Sequence, residues 1–120
     1  ETLFIEIESA DQLRSIQPDY LRMVNSSNSL SEIVVTTASD DTSYDYLLRS
    51  FCPWIGIDED PVTGSVHSVL GAYWQNRFQK NVLKAYQASR RGGEILINAS
   101  GNTIGIGGQT VIVMKGEMSY

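Results

Sequence analysis

The sequence predicts an α+β domain in which a strongly curved, mostly antiparallel sheet wraps around one central helix, with a short helix near the N-terminus. Three observations carry that prediction. Residues 65–78 hold a helical pattern that is apolar around most of its girth, and such a helix needs cover on several sides. Some seven short segments of strand character surround it, several of them separated by glycine or asparagine turns of the hairpin kind. The chain has 120 residues, 42% of them hydrophobic and 19% charged, the make-up of one globular domain over residues 1–120. At this length folding buries roughly two-thirds of the unfolded surface, enough for a core without disulfides or structural metal.

In chain order, residues 2–8 (TLFIEIE) alternate Leu3, Ile5 and Ile7 against Phe4, Glu6 and Glu8, the period of a strand with one wet face. Ser9 and Gln12 form a capping-box pair, and Ala10, Leu13 and Ile16 continue at helical spacing until Pro18. A second helical turn runs from Pro18 through Met23, and the Asn/Ser-rich stretch after it is a loop. Residues 32–37 (EIVVTT) and 44–51 (YDYLLRSF) read as strands paired across the acidic turn at 39–42. In the central helix, Val66, Val69, Leu70, Tyr73 and Trp74 share a stripe that Ala72 and Phe78 widen. Strands at 82–89, 94–99, 103–106 and 110–115 then form an antiparallel meander, with turns at Gly92-Gly93, Ser100-Gly101-Asn102 and Gly107-Gly108.

Composition narrows the function classes. One cysteine, Cys52, can form neither an intramolecular disulfide nor a cysteine metal cluster, which fits a reducing compartment, with a cytoplasmic location expected. The longest apolar run is Val111–Met114, far short of a bilayer span, so no membrane association is expected. Residues 1–60 carry 12 acids and 3 bases, residues 61–120 carry 2 acids and 6 bases, so the halves have opposite sign within a net charge of −5. The cations Arg77, Lys80, Lys84, Arg90 and Arg91 read as a solvated face or as partners for the acidic half. The overall acidity and lack of a binding motif argue against nucleic acid.

The stretch that carries chemistry is residues 56–67, GIDEDPVTGSVH, where three carboxylates run into a Pro-x-Thr-Gly-Ser turn that opens the central helix. Pro61 keeps Asp60 extended and outside the helix, Thr63 or Ser65 can cap, and Gly64 lets a ligand approach the first amides. Unpaired N–H groups at the positive end of a helix form an anion site, and a carboxylate suits it. Asp60 reads either as an acid/base group or as a structural carboxylate that caps its own turn or pairs with Arg49 or Arg91. Ser65 is a ligand contact or a helix-start residue, without a nucleophile elbow. His67 is a ligand contact or a hydrogen-bonded, half-buried group, and a single histidine gives no basis for a metal site.

The string GIDEDPVTGSVHSVLGAYW (residues 56–74) resembles, almost residue for residue, the hallmark of the phenazine-biosynthesis isomerase (PhzF-like) family. Arg49–Pro53 matches its R-x-F-x-P, Gln87–Gly93 matches its Q-x-S-x-R-G-G, and Pro18-Asp19-Tyr20 is a further, weaker likeness. The resemblance covers residues 31–117 and is to the family's C-terminal half. It implies the diaminopimelate-epimerase-like fold, in which two similar halves, each a curved sheet around a helix, meet with the amino ends of those helices facing the active site. By the same resemblance Asp60 is an active-site acid, Gly64 and Ser65 lie in the turn that grips the substrate carboxylate with Thr63, Val66 and His67 beside them, and no cofactor is implied. Val66 stands where alanine is more usual. The family's principal acid/base glutamate and the histidine-bearing turn of its N-terminal half have no counterpart here. The matching turn reads TGS, and Cys52 lies elsewhere, which argues against a two-thiol racemase.

Three functions are compatible with these residues. The first is an isomerase half-site acting on a small carboxylic acid by proton transfer, its cleft completed by a missing N-terminal half or by a second copy in a homodimer. The second is a carboxylate-binding module without a competent base, and the third is a structural half-domain.

Overall fold

The computed structural model describes residues 1–119, and the β-branched and aromatic runs identified above form its central strands. The elements are β1 (Thr2–Glu6), α1 (Ala10–Ser15), α2 (Tyr20–Ser26), β2 (Glu32–Ala38), β3 (Tyr46–Cys52), β4 (Ile57–Asp60), α3 (His67–Phe78), β5 (Val82–Gln87), β6 (Gly93–Asn98) and β7 (Gly105–Gly107). A 3-10 turn over Pro53–Ile55 links β3 to β4 and ends at Gly56 with φ 84°, a value glycine adopts without side-chain strain. Ser9 accepts a hydrogen bond from the Gln12 amide at 3.1 Å and Asp19 one from Arg22 at 3.0 Å, so both N-terminal helices start on side-chain caps.

The strands form one seven-stranded mixed sheet in the order β1-β2-β3-β5-β6-β7, with β4 also on β3. Pairing is antiparallel except β1 with β2 and β3 with β5, which are parallel. The β2–β3 and β5–β6 hairpins match expectation. β4 and the parallel pairs were not anticipated, because such pairings are set by contacts far apart in sequence rather than by a local turn. One edge of β3 is shared: its first half pairs with β5 (Leu48 opposite Gln87) and its second half with β4 (Ser50 opposite Asp60). The last residues of β4 and β5 are thereby brought together, and the functional turn begins there.

Each face of the sheet carries a core. On one, α3 packs Val66, Leu70 and Trp74 against Val34, Tyr46, Leu48, Leu83, Ala85, Ile95 and Ile97. Trp74 is fully buried, stacks on Tyr46 and donates from Nε1 to Thr36 Oγ1 at 3.0 Å. Gly71 lets the helix lie close, since a Cβ there would come within 2.8 Å of the Ile97 side chain. On the other face Ala10 and Leu13 of α1 cover Val35, Leu47 and Phe51.

Three expectations need correction. α3 is buried along one side only: Val69, Tyr73 and Phe78 are exposed, because the sheet supplies cover to the stripe of His67, Leu70, Gly71 and Trp74 alone. In β1, Phe4 packs toward α3 while Leu3 and Ile5 are the more exposed, since layers on both sides of the sheet compete to cover this strand. Residues 110–115 form no strand and Val111–Met114 are exposed, although their composition favours one, because the segment pairs with no strand among the described residues, and a strand needs a partner for its backbone groups. No described helix is long and apolar enough to cross a membrane.

Candidate functional site

Asp60 ends β4 next to Gln87, the fully buried last residue of β5. The Gln87 amide braces the turn in both directions. Its Oε1 accepts from the Thr63 amide at 2.7 Å, and its Nε2 donates to the Asp60 carbonyl at 2.7 Å and reaches Thr63 Oγ1 at 3.1 Å. Thr63 Oγ1 in turn donates to Asp60 Oδ2 at 2.5 Å. Ser89 extends the brace: its hydroxyl donates to the Pro61 carbonyl at 2.7 Å and accepts from the Gly92 amide at 3.1 Å. Gly93 closes it, because a Cβ there would lie 2.3 Å from Val62. The Gln87–Gly93 motif thus holds the Asp60–Thr63 turn in one geometry.

Beyond Thr63 the chain turns into α3 through i→i+3 bonds, from the His67 amide to the Gly64 carbonyl and from Ser68 to Ser65, both at 3.1 Å. Neither Thr63 nor Ser65 caps the helix through its side chain. Thr63 is committed to Asp60, and α3 starts at Val66 without a side-chain cap. The amides of Gly64, Ser65 and Val66 have no acceptor among the described residues, and the missing Cβ of Gly64 faces open space. Gly64 and Ser65 are exposed, whereas the side chains of Val66 and His67 turn into the core. A groove of about 540 Å³ runs from Gly64 past Arg91, Gly92 and Gly93 toward Ile106.

His67 is fully buried rather than half-buried, its Nδ1 2.7 Å from the Tyr46 hydroxyl. Burial pushes its pKa down to about 4 against the opposing pull of the Thr63 backbone, so near neutral pH the ring is uncharged. Its Nε2 has no hydrogen-bond partner among the described residues.

Arg49 does not pair with Asp60. Its guanidinium grips Glu59 through two bonds, Nε to Oε1 at 2.7 Å and Nη2 to Oε2 at 2.9 Å, and donates to the carbonyls of Leu13 and Ile16. No arginine or lysine among the described residues forms an ion pair with Asp60, so of the structural roles weighed for it the turn contact is the one present. Cys52 is a buried free thiol, its pKa raised by burial, and sits at the bend between β3 and the 3-10 turn. Lys80 pairs with Asp45 and Arg77 with Glu6, which joins the basic half to the acidic half as expected. No cluster of three potential metal ligands occurs among the described residues.

Gln87 and Ser89 were not singled out from sequence as part of the site. Their signal was present in the Q-x-S-x-R-G-G string, but nothing local to that string says which distant turn it holds.

The model of the phenazine biosynthesis-like protein family, PhzC-PhzF, matches residues 1–116. An uncharacterised isomerase of Halalkalibacterium halodurans is 40% identical over 116 residues, a match covering 95% of this chain and 42% of that protein. A second uncharacterised isomerase, from Pseudomonas aeruginosa, is 35% identical, covering 98% of this chain and 44% of that protein. The crystal structure of a PhzF-family protein from Enterococcus faecalis superimposes with a TM-score of 0.82 at 33% identity, over 98% of this chain and 44% of that one. That of a phenazine biosynthesis PhzC/PhzF protein from Clostridium difficile gives 0.85 at 29% identity, over 99% of this chain and 45% of that one. The chain therefore spans less than half the length of these relatives. It belongs to the phenazine biosynthesis-like (PhzC/PhzF) protein family.

Proposed function

We propose that this chain is the C-terminal half-site of a cofactor-independent isomerase with the diaminopimelate-epimerase-like architecture, acting on a small carboxylic acid. The observation that carries the reading is the run of three unpartnered amides, Gly64, Ser65 and Val66, at the amino end of α3 beside Asp60. A substrate carboxylate would accept from those amides and gain from the positive end of the helix. Asp60 spends only Oδ2 on Thr63, which leaves Oδ1 to exchange a proton with the carbon next to the bound carboxylate. Thr63 and Gln87 hold that carboxyl in place, and uncharged His67 keeps the helix start packed without adding a charge beneath the anion. The opposing wall, with the second acid/base group and the exclusion of water, would come from a separate half or a second copy.

A second reading is a carboxylate-binding domain without catalysis, in which Asp60 serves only the turn through the bond it accepts from Thr63. Solvent-deuterium exchange separates the two. With a small unsaturated carboxylic acid bound, the isomerase reading expects deuterium incorporation by the native chain and none by Asp60→Asn, at similar affinity. No incorporation by the native chain, alone or with a supplied N-terminal half, leaves binding only.

A further inference from the structure

We propose that Arg49 selects the acid of the site: its guanidinium takes Glu59 onto the α1 face of the sheet, fixes the phase of β4, and so turns Asp60, out of three consecutive carboxylates, to the α3 face. The chemical consequence rests on the proton-transfer reading of Asp60, whereas the choice of carboxylate rests on strand geometry alone.

β4 carries Ile57, Asp58, Glu59 and Asp60. On β3, Cys52 stands opposite Ile57, Phe51 opposite Glu59 and Ser50 opposite Asp60, so Asp58 is the extra residue of a bulge. A bulge interrupts the two-residue alternation, and the direction of Ile57 therefore does not dictate the directions of Glu59 and Asp60. Beyond the bulge only Glu59 and Asp60 are paired, a short ladder with little of its own to oppose a slip of one residue. Such a slip exchanges the faces. Moved one way, Glu59 comes opposite Ser50 and a longer carboxylate enters the site. Moved the other way, Pro61 comes opposite Ser50, Asp60 faces α1, and the site loses its acid.

The α1 face breaks the tie. Arg49 is 9% exposed there, its Cζ 4.9 Å from the centre of the Phe51 ring. Its Nη1 donates to the carbonyls of Leu13 and Ile16 at 3.2 and 2.8 Å, which ties the guanidinium to the end of α1. Nε and Nη2 are left as a fork of fixed direction, and Glu59 fills it with both carboxylate oxygens. Phe51 and Glu59 are cross-strand partners, so fork, ring and carboxylate share one face. Ser50 and Asp60, the next pair, face the other way, where Asp60 meets Thr63. Either charge of the pair would be costly to leave buried alone, so the two hold each other in place. The Gln87 brace acts after Asp60, on the turn, and Arg49 acts before it, on the strand. Arg49 and Phe51 of the R-x-F-x-P string thereby serve the site without entering it.

The test is the β3–β4 register of the chain by NMR, read from the cross-strand contacts of Ser50. Arg49→Met removes the fork. Glu59→Gln keeps the shape of its residue but leaves the fork to draw in the charge of Asp58 or Asp60. In each, the Ser50–Asp60 contact should be lost in favour of Ser50–Glu59 (Ser50–Gln in Glu59→Gln) or Ser50–Pro61. Arg49→Met combined with Glu59→Met puts an apolar pair in place of the buried ions and should restore the native register. Where the native chain incorporates deuterium into a bound acid, Arg49→Met should lower that rate at least about tenfold with acetate affinity within about twofold, and the double variant should recover the rate. A native register kept in both single variants overturns the proposal. So does a chain that fails to fold without Arg49 and is not recovered in the double variant, because Arg49 then serves the fold and not the choice of carboxylate. A native chain that incorporates no deuterium, with the expected register shifts present in the variants, refutes the isomerase reading and supports the role of Arg49.

Discussion

The turn at residues 60–66 and the tail at residues 108–119 both present backbone groups without partners, and they do so in opposite ways. The turn is fixed from every side. Gln87 bonds it twice through the backbone, Ser89 holds Pro61, Gly93 fits under Val62, and α3 runs from its end into the Trp74 core. The tail has no such frame. Free amides in a rigid frame suit a small anion, because the groups are already ordered when it arrives. Free backbone in an unbraced segment needs a continuous strand edge, because ordering each residue costs about 1–2 kcal/mol and only a row of new bonds and apolar contacts offsets that.

The largest expected effect tests the frame itself. Trp74→Ala should destabilise the chain by about 3–5 kcal/mol in urea unfolding, through the cavity left in the core and the lost stacking on Tyr46. A loss under about 1 kcal/mol would mean that α3 does not anchor the turn. The second effect is in pH. Because His67 titrates near 4 when folded, against an ordinary 6.5, the unfolded chain takes up this proton first as pH falls. Stability should therefore drop by about 1.4 kcal/mol per pH unit between these values and level off below the folded one. In His67→Gln that slope should vanish, which urea titrations at a series of pH values would show. The smallest effect sets turn against tail directly. Gln87→Ala strands the buried Thr63 amide and should cost about 1–3 kcal/mol, whereas Val113→Ala in the tail should change monomer stability by less than about 0.5 kcal/mol. Equal costs would erase the distinction between the two regions.

Much of this architecture is readable from local pattern. Strand alternation marks β1, the capping residue Ser9 marks α1, and Gly92, with φ 72°, marks the β5–β6 turn. Non-local pairing is not readable in this way. The acidic run Ile57–Asp60 looks like turn approach and becomes a strand only because β3 has an edge left over beyond β5. Composition predicts a strand at 110–115, but a strand needs an edge, and composition says nothing of where that edge lies. In the site, Asp60, Thr63, Gly64 and Ser65 announce themselves through the Pro-x-Thr-Gly-Ser turn. The pairing of Arg49 with Glu59 rather than Asp60 depends on which neighbouring carboxylate of β4 faces α1, a matter of strand phase at a bulge.

The most direct measurement of the central idea, an anion clamp at the start of α3, is amide NMR during titration with acetate and with sulfate. The largest shifts should fall on Gly64, Ser65 and Val66. Ser65→Ala should weaken binding modestly, since the backbone donors remain, and Gly64→Val should abolish most of it by blocking the approach. Shifts centred elsewhere, for example on Arg90 and Arg91, with the 63–66 amides unmoved, would contradict the clamp and remove the proposed isomerase half-site with it.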